Sequence, residues 1–291
     1  MNDPGTQWLA AMHRGDYTTA FRINEAVLAA RDPAGRDDAR LPYHLRWVWD
    51  GRPFEGRNVL VRCYHGLGDT LQFARYLPVL RSRVTSLTLE APASLIPLLT
   101  TLPGIDRIVP FVVHAPTPPS ECDLEIMELP FALKLTPDAV VPPYLKTAAA
   151  ALPKDTVGLC WQAGDWDPER SLPPALLAPL TVRPCVTLQT SPTTLNVLNP
   201  EGCPKDMVAT AKLVAGLDLL VTVDTMVAHL AGALGTPTWL LLKHDADWRW
   251  LRGRVNSPWY PSMRLYRQAT PGDWQSVVAA VMRDFESQRL C

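Results

Sequence analysis

Two short turns in this sequence place acidic, imidazole and small residues directly after an apolar run. The first turn is Gly66-Leu67-Gly68-Asp69, preceded by His65. A carboxylate or an imidazole beyond the end of a strand can take a proton from a hydroxyl group. Asp69 and His65 are therefore candidate bases. The two glycines, Gly66 and Gly68, predict a tight turn that lets the backbone approach a ligand closely.

Asp69 also has a structural interpretation. With Gln72 three residues later it predicts a capping box, in which Asp69 is the N-cap of a helix over 70–81. Both roles stay open, because the N-cap of a helix that follows a strand lies near the carboxyl ends of the strands, where such sheets bind ligands. Leu71 stands where a dinucleotide fingerprint has its third glycine, and no Gly-Lys-Ser/Thr follows, so neither phosphate-loop motif is present.

The second turn begins with Asp224 and Thr225 and leads at once into a helix of small residues over 225–234. The N–H groups and dipole of a helix N-terminus favour phosphate. His229 is four residues after Thr225, so the two side chains lie on one helical face. We expect the hydroxyl, the amides and the imidazole to converge on a diphosphate. Asp224 is expected to accept from sugar or ribose hydroxyls, or to cap the helix.

The elements around these turns predict an α/β protein. A helical hairpin within residues 1–50, broken at Arg14-Gly15-Asp16, precedes two series of alternating strands and helices. A proline-rich stretch over 142–153 separates the two series. We predict two Rossmann-type doubly wound parallel-sheet lobes facing a cleft. The predicted domains are the hairpin (1–50), an acceptor lobe (57–145), a nucleotide-sugar lobe (155–270) and a C-terminal helix packing back across the lobes (271–291).

The expected strands and helices are short and regularly spaced. Strands are predicted at 58–63, 86–90, 107–109, 123–126, 156–161, 185–188, 219–223 and 238–242, and helices at 70–81, 93–99, 174–180, 206–215, 225–234 and 272–287.

Composition excludes several classes of function. The 291 residues carry a net charge of −1, so nothing in the composition points to a nucleic acid as a partner. No apolar run is long enough to span a membrane, and residues 1–16 lack the pattern of a signal peptide. We therefore expect a cytoplasmic protein. Its scattered cysteines predict reduced core residues, with no disulfide framework and no zinc site: Cys63, Cys122, Cys160, Cys185, Cys203 and Cys291.

Three segments resemble a known family. They are GLGDTLQFARYL (66–77), VDTMVAHLAGALG (223–235), and DWRWL (247–251) with SPWYP (257–261). In order and spacing they are similar to the heptosyltransferase-type glycosyltransferases of the GT-B fold, and more closely to bacterial tetratricopeptide-repeat proteins that carry such a domain. The hairpin resembles a single tetratricopeptide repeat, which cannot bury its own face. A plain helical hairpin is the alternative interpretation.

The resemblance implies a nucleoside-diphosphate sugar as donor, held by the C-terminal lobe, and an acceptor held by the N-terminal lobe. It implies Asp69 as the base, with Thr225, the Met226 amide and His229 at the diphosphate. It also implies inversion at the anomeric carbon, with no cofactor and no obligatory metal. The acceptor would be a glycan, a lipid-linked saccharide or a protein, and the N-terminal helices leave room for a protein partner.

The loop over 162–171 departs from this pattern. Arg170 is its only cation and faces three acidic residues, Asp165, Asp167 and Glu169. We expect Arg170 to stabilise the leaving diphosphate. An electrostatically poor pocket would instead favour a degenerate, non-catalytic binding module, and a nucleotide-sugar epimerase is a further alternative.

Two further clusters have open interpretations. The tryptophan-rich stretch over 247–260 would stack on a ligand or close the interface between the lobes, and Arg249 within it is either solvated or a phosphate contact. The acidic cluster near the end of the first series is expected to be a solvated edge: Glu121, Asp123, Glu125 and Glu128.

Overall fold

The computed structural model describes residues 3–287. The chain divides into two compact units, Met1–Leu145 and Lys146–Cys291, and the division falls within the proline-rich stretch. Each unit contains one parallel β-sheet flanked by helices. The predicted α/β class with two Rossmann-type sheets is confirmed.

The first unit begins with the predicted helical hairpin, α1 (Pro4–Arg14) and α2 (Tyr17–Ala30). Gly15 ends α1 in the left-handed conformation, at φ 72°, which glycine adopts without steric cost. Asp16 then caps α2 by accepting from the backbone N–H of Thr19 at 3.0 Å. These residues form the break that was predicted at 14–16.

The first sheet has four parallel strands, β1 (Asn58–Arg62), β2 (Ser86–Ala91), β3 (Arg107–Pro110) and β4 (Cys122–Glu125). Their order in the sheet is β3-β2-β1-β4. The chain fills the sheet in one direction from β1 to β3 and then returns to the other side of β1. The gap between β1 and β4 is therefore a switch point, where open α/β sheets bind ligands beyond the strand ends. The α-helices that follow these strands are α3 (Leu67–Phe73), α4 (Leu77–Arg81), α5 (Ile96–Leu99) and α6 (Leu129–Leu133).

A buried charge cluster holds three strands of this sheet together. Arg62 on β1 lies 2.9 Å from Glu90 on β2 and 2.8 Å from Asp123 on β4. All three side chains are buried, so each charge depends on its partners. The expected solvated acidic edge is therefore wrong for Asp123, and it is wrong for Glu125, which is 2 % exposed. Only Glu121 of the cluster is exposed.

The second unit contains five parallel strands, β5 (Val157–Cys160), β6 (Cys185–Thr187), β7 (Leu219–Val223), β8 (Thr238–Leu242) and β9 (Met263–Arg267). Their order in the sheet is β6-β5-β7-β8-β9, with a switch point between β5 and β7. The strand β9 was not predicted from the sequence. The segment Pro174–Val182 is a 3₁₀ helix with Pro179 inside it, since a proline ring inside an α-helix clashes with the carbonyl four residues earlier. The α-helices of this unit are α7 (Met207–Ala215), α8 (Met226–Leu234) and α9 (Trp274–Ser287).

The core of the second unit lies between this sheet and α9. Phe285 and Val281 of α9 are fully buried, and the Phe285 ring meets Trp239 of β8 edge-on at 6.4 Å. The helix thus stabilises the sheet of its own unit, whereas its predicted packing across the lobes stays a prediction. The last part of the predicted 271–291 segment lies outside the described residues.

The described cysteines are free and buried, and Cys291 lies outside the described residues. None of the helices within residues 3–287 is both long and apolar enough to cross a membrane.

Candidate functional site

Arg170 occupies the switch point of the second sheet. The loop after β5 carries it to the end of β7, where its Nη1 donates to the backbone oxygen of Asp224 at 2.9 Å. Its remaining N–H groups face the backbone oxygens of Gly164 and Asp167 at 3.4 Å each. The indole of Trp166 covers the guanidinium at 4.0 Å. Arg170 is therefore turned inward, with 8 % of its surface exposed.

The helix α8 starts beside this guanidinium. Thr225 is its N-cap in extended conformation, and its side chain makes no capping hydrogen bond. Met226 is the first helical residue, one position later than predicted. Both residues are only half-buried. The first N–H groups of α8 and the adjacent Arg170 together form a site suited to an anion.

Asp224 brings a carboxyl group into the same site. Burial, together with the neighbouring Asp247 carboxylate, raises its pKa from 3.8 to about 6. The side chains of Trp250, Arg170 and Arg249 oppose this rise by favouring the charged form. Asp224 therefore changes its charge close to neutral pH, at the point where α8 begins.

His229 lies one helical turn into α8 and is buried among aromatic rings. Its Nδ1 is 3.0 Å from the hydroxyl of Tyr260, and its ring stacks on Trp250 at 5.5 Å between centroids. Gly232 makes room for Tyr260, since a Cβ there would lie 2.3 Å from the ring. His229 is 6 % exposed, so its contact with a diphosphate stays a prediction.

Arg249 is buried as well, with 8 % of its surface exposed. Its Nη1 lies 3.0 Å from Asp247, and its guanidinium lies 4.7 Å from the centre of the Trp248 ring. Its solvated interpretation is wrong. Trp250, Trp259 and Tyr260 are at most 2 % exposed, so three rings of the tryptophan-rich stretch are not available to stack on a ligand in this conformation.

Lys243 is a cation that the sequence analysis missed. It follows β8 directly, and its Nζ lies 3.0 Å from Asp167 and 3.1 Å from Glu169. The expectation that Arg170 alone faces the three loop acids is therefore wrong, because Lys243 neutralises two of them. The order of the strands would have revealed it, since β8 neighbours β7. Lys243 also lines a cavity of about 260 Å³ beyond the ends of β8 and β9.

The first turn differs from its predicted form in three respects. The helix α3 starts at Leu67, so Gly66 is the N-cap and Asp69 lies in the first turn. The Asp69 carboxylate accepts from the backbone N–H of Gly66 at 3.0 Å, which reverses the predicted capping role. Gly66 has a φ of −68°, and Gly68 also lacks a positive φ. Neither glycine therefore adopts the left-handed conformation, and after a bend at His65 the chain enters the helix directly.

His65 is paired with a residue that was assigned no function. Its Nδ1 lies 3.0 Å from Oε1 of Glu125, at the end of the neighbouring strand β4. The Glu125 carboxylate also accepts from the backbone N–H groups of Tyr64, at 3.2 Å, and Met127, at 2.7 Å. The parallel pairing of β1 with β4 brings the two side chains together, with Arg62 opposite Glu125. No spacing in the sequence indicates this.

A cavity of about 400 Å³ opens beside this pair. The helix α2, the segment 44–49 and the residues after β4 form its walls. Glu128 lies in it, and its carboxylate accepts from the backbone N–H groups of Val48, Trp49 and Glu125 at 2.8–3.2 Å. Burial raises the pKa of Glu128 to about 7. The end of the cavity at the switch point of the first sheet is therefore lined by ionisable side chains: His65, Glu125 and Glu128.

Residues 3–287 contain no group of three or more His, Cys, Asp or Glu side chains placed to hold a metal ion.

Comparisons with solved structures identify the fold class. The E. coli ADP-heptose LPS heptosyltransferase II matches with a TM-score of 0.58 at 14 % identity, covering 79 % of this chain and 98 % of that one. A glycosyl transferase of family 9 from Veillonella parvula gives 0.55 at 13 % identity, covering 81 % and 98 %. E. coli heptosyltransferase WaaC with ADP gives 0.50 at 14 % identity, covering 79 % and 99 %. The chain thus shares the GT-B-like fold of these enzymes.

A curated protein is similar to this chain in sequence. Protein FlbA from Caulobacter vibrioides is 24 % identical over 290 residues, covering 81 % of this chain and 48 % of FlbA. The chain therefore spans about half the length of this relative. No family model matches the chain.

Proposed function

We propose that this protein is a glycosyltransferase that moves a sugar from a nucleoside-diphosphate donor to a hydroxyl group of a glycan, lipid-linked saccharide or protein acceptor. The observation that carries the proposal is the placement of Arg170 beside the N-terminus of α8, at the switch point of the second sheet. The fold shared with heptosyltransferases supports it.

The second unit would hold the donor. The diphosphate accepts from the N–H groups at Thr225 and Met226 and faces the Arg170 guanidinium. As the bond between the anomeric carbon and the diphosphate oxygen breaks, negative charge gathers on that oxygen. Fixed N–H donors and a guanidinium stabilise this charge without reorganisation. Asp224 and Arg249, beneath the helix start, would set the charge of the site.

The first unit would supply the base and the acceptor site. Asp69, on the first turn of α3, takes the proton of the acceptor hydroxyl as its oxygen bonds to the anomeric carbon. His65, four residues earlier, is the second candidate base. Attack opposite the leaving diphosphate inverts the anomeric configuration, and this step uses no group beyond the side chains and the donor.

One observation favours the alternative of a non-catalytic binding module. The Arg170 guanidinium is engaged by three backbone oxygens and lies next to the buried Asp224 carboxyl. An arginine held in this way can stabilise the loop after β5 without meeting a phosphate. If Arg170 has only this structural role, Arg170→Ala should bind nucleotides as the wild type does.

Isothermal titration calorimetry with ADP, UDP, GDP and CDP tests the proposal. We expect one of these nucleotides to bind, and Arg170→Ala to weaken that binding at least about tenfold, because charge-assisted hydrogen bonds to phosphate are lost. Arg254→Ala, an exposed arginine of the same unit, is the matched control and should bind as the wild type does. Binding of none of the four would contradict a nucleotide-donor site.

A further inference from the structure

We propose that the cavity between α2 and the switch point of the first sheet is the acceptor site, that it takes a sugar ring, and that Glu125 positions His65 to bind a sugar hydroxyl. The inference rests on the proposed function, which assigns the acceptor to the first unit but no cavity to it. It gives the helical hairpin a role as one wall of the site.

The cavity lies at the switch point of the first sheet. His65 follows β1 and Glu125 ends β4, and these two strands flank the switch point. Open α/β sheets bind ligands at that place, beyond the ends of the strands. The cavity volume of about 400 Å³ lies within the range of small-ligand sites.

The chemistry of the lining indicates a sugar. The aromatic rings of Trp47, Trp49 and Phe131 line the cavity beside the imidazole of His65 and the two glutamate carboxylates. Sugar rings present apolar C–H faces and polar hydroxyl edges, so they suit a site with aromatic walls and a few fixed polar groups. The guanidinium of Arg31 lies 4.8 Å from the centre of the Trp47 ring and braces it.

The pairing of His65 with Glu125 sets the role of the imidazole. A carboxylate 3.0 Å from Nδ1 favours the proton on that nitrogen, which makes Nε2 the accepting nitrogen of the neutral ring. Glu125 is itself fixed by two backbone N–H groups and is 2 % exposed. Glu125 is therefore a fixed carboxylate beside the imidazole, placed to position the His65 ring. Asp69 is not among the residues that line the cavity; its carboxylate accepts from the backbone N–H of Gly66, the residue after His65.

The hairpin closes the cavity on its other side. On that side the cavity is lined by Asn24, Val27 and Leu28 of α2 and by Arg31, which directly follows the helix. The helix is anchored to the sheet unit by the contact of Phe21 with Phe131, at 6.1 Å between ring centroids, and by the ion pair of Glu25 with Lys134 at 2.6 Å. A repeat-like helix pair thus becomes part of the acceptor site, and residues on one face of α2 would select the acceptor.

Nuclear magnetic resonance of the whole chain tests this inference without a transfer reaction. The probes are methyl glycosides of hexoses at millimolar concentration, and the signal is the indole N–H of Trp47, assigned with Trp47→Phe. We expect a saturable shift of this signal. His65→Ala and Glu125→Gln should each weaken binding about fivefold or more, and the double variant no further, because both remove one interaction. His114→Ala, an exposed histidine outside the cavity, should bind normally.

A blocking variant provides an independent test. Asn24→Trp fills the cavity and should abolish the shift, whereas Arg22→Trp, on the exposed side of the same helix, should not. The inference is overturned if no glycoside shifts the Trp47 signal, if a serine-containing peptide shifts it and glycosides do not, or if Asn24→Trp binds as the wild type does. Calorimetry with nucleotides on the same samples reports on the donor site. Failure of nucleotide binding with glycoside binding intact would refute the proposed function and leave the saccharide cavity standing.

Discussion

At the scale of single residues, the charges of the second site are set by partners that are distant in sequence. Arg170 is held by the backbone of Asp224, and Lys243 pairs with Asp167 and Glu169. The types of the candidate residues were predictable, because a strand followed by Asp-Thr and a helix is a local pattern. Their partners were not, since they depend on which strands become neighbours.

Asp224 gives the site a dependence on pH. Its pKa of about 6 means that the carboxyl is ionised at pH 7.5 and largely protonated at pH 5. An ionised carboxylate repels a diphosphate at the start of α8, so the affinity for the bound nucleotide should rise as the pH falls through about 6. Asp224→Asn should bind roughly three- to tenfold more tightly at pH 7.5.

Calorimetry between pH 5 and pH 8 measures this effect, and the ligand's own titration appears equally in both proteins. If wild type and Asp224→Asn show the same pH dependence, the carboxyl does not face the phosphates.

Asp69 has a capping role and a proposed catalytic role that one substitution can separate. Asp69→Asn retains an oxygen that can accept from Gly66, so the melting temperature should stay close to that of the wild type. If Asp69 is the base, release of nucleoside diphosphate from the sugar donor should fall about 10²-fold while nucleotide affinity is unchanged. Full activity of Asp69→Asn would refute its role as base, and loss of turnover in His65→Ala would then assign that role to His65.

At the scale of elements, the buried apolar strands were predicted most accurately. The strands at 219–223 and 238–242 were predicted with the bounds that the structure has, because both are buried on both faces and read as continuous apolar runs. The strand β9 was missed because it is an edge strand with Arg264 and Arg267 in it. The helix α3 starts three residues before its predicted start, because Gly66 caps it.

The packing of α8 against the 257–261 segment yields a stability prediction. Gly232→Ala would place a Cβ 2.3 Å from the Tyr260 ring, which also holds His229. We expect a loss of about 1–3 kcal/mol in the free energy of unfolding, since the ring and the helix must move apart. Denaturant titration measures it. Gly164→Ala is the control, because its Cβ would meet Trp166 at an ordinary 3.6 Å. Equal stability of the two variants would show that Tyr260 repacks freely.

At the scale of the whole molecule, two units each place their candidate residues at the switch point of a parallel sheet. In the first unit these are His65 and Glu125, and in the second Arg170 and Asp224. The alternation of strands and helices predicted the two sheets. It did not predict the order of the strands, and so the pairing of His65 with Glu125 and the neutralising role of Lys243 emerged only from the structure.

The central claim is that Arg170 stabilises a leaving diphosphate, and donor turnover tests it most directly. Purified protein is incubated with the nucleotide sugar that matches the nucleotide bound in calorimetry, and released nucleoside diphosphate is measured with and without an acceptor. We expect turnover by the wild type and by Arg254→Ala, and a loss of at least about 10²-fold in Arg170→Ala, the size of effect seen when one transition-state donor is removed. Turnover that is unchanged in Arg170→Ala, or absent from the wild type despite nucleotide binding, would contradict the claim.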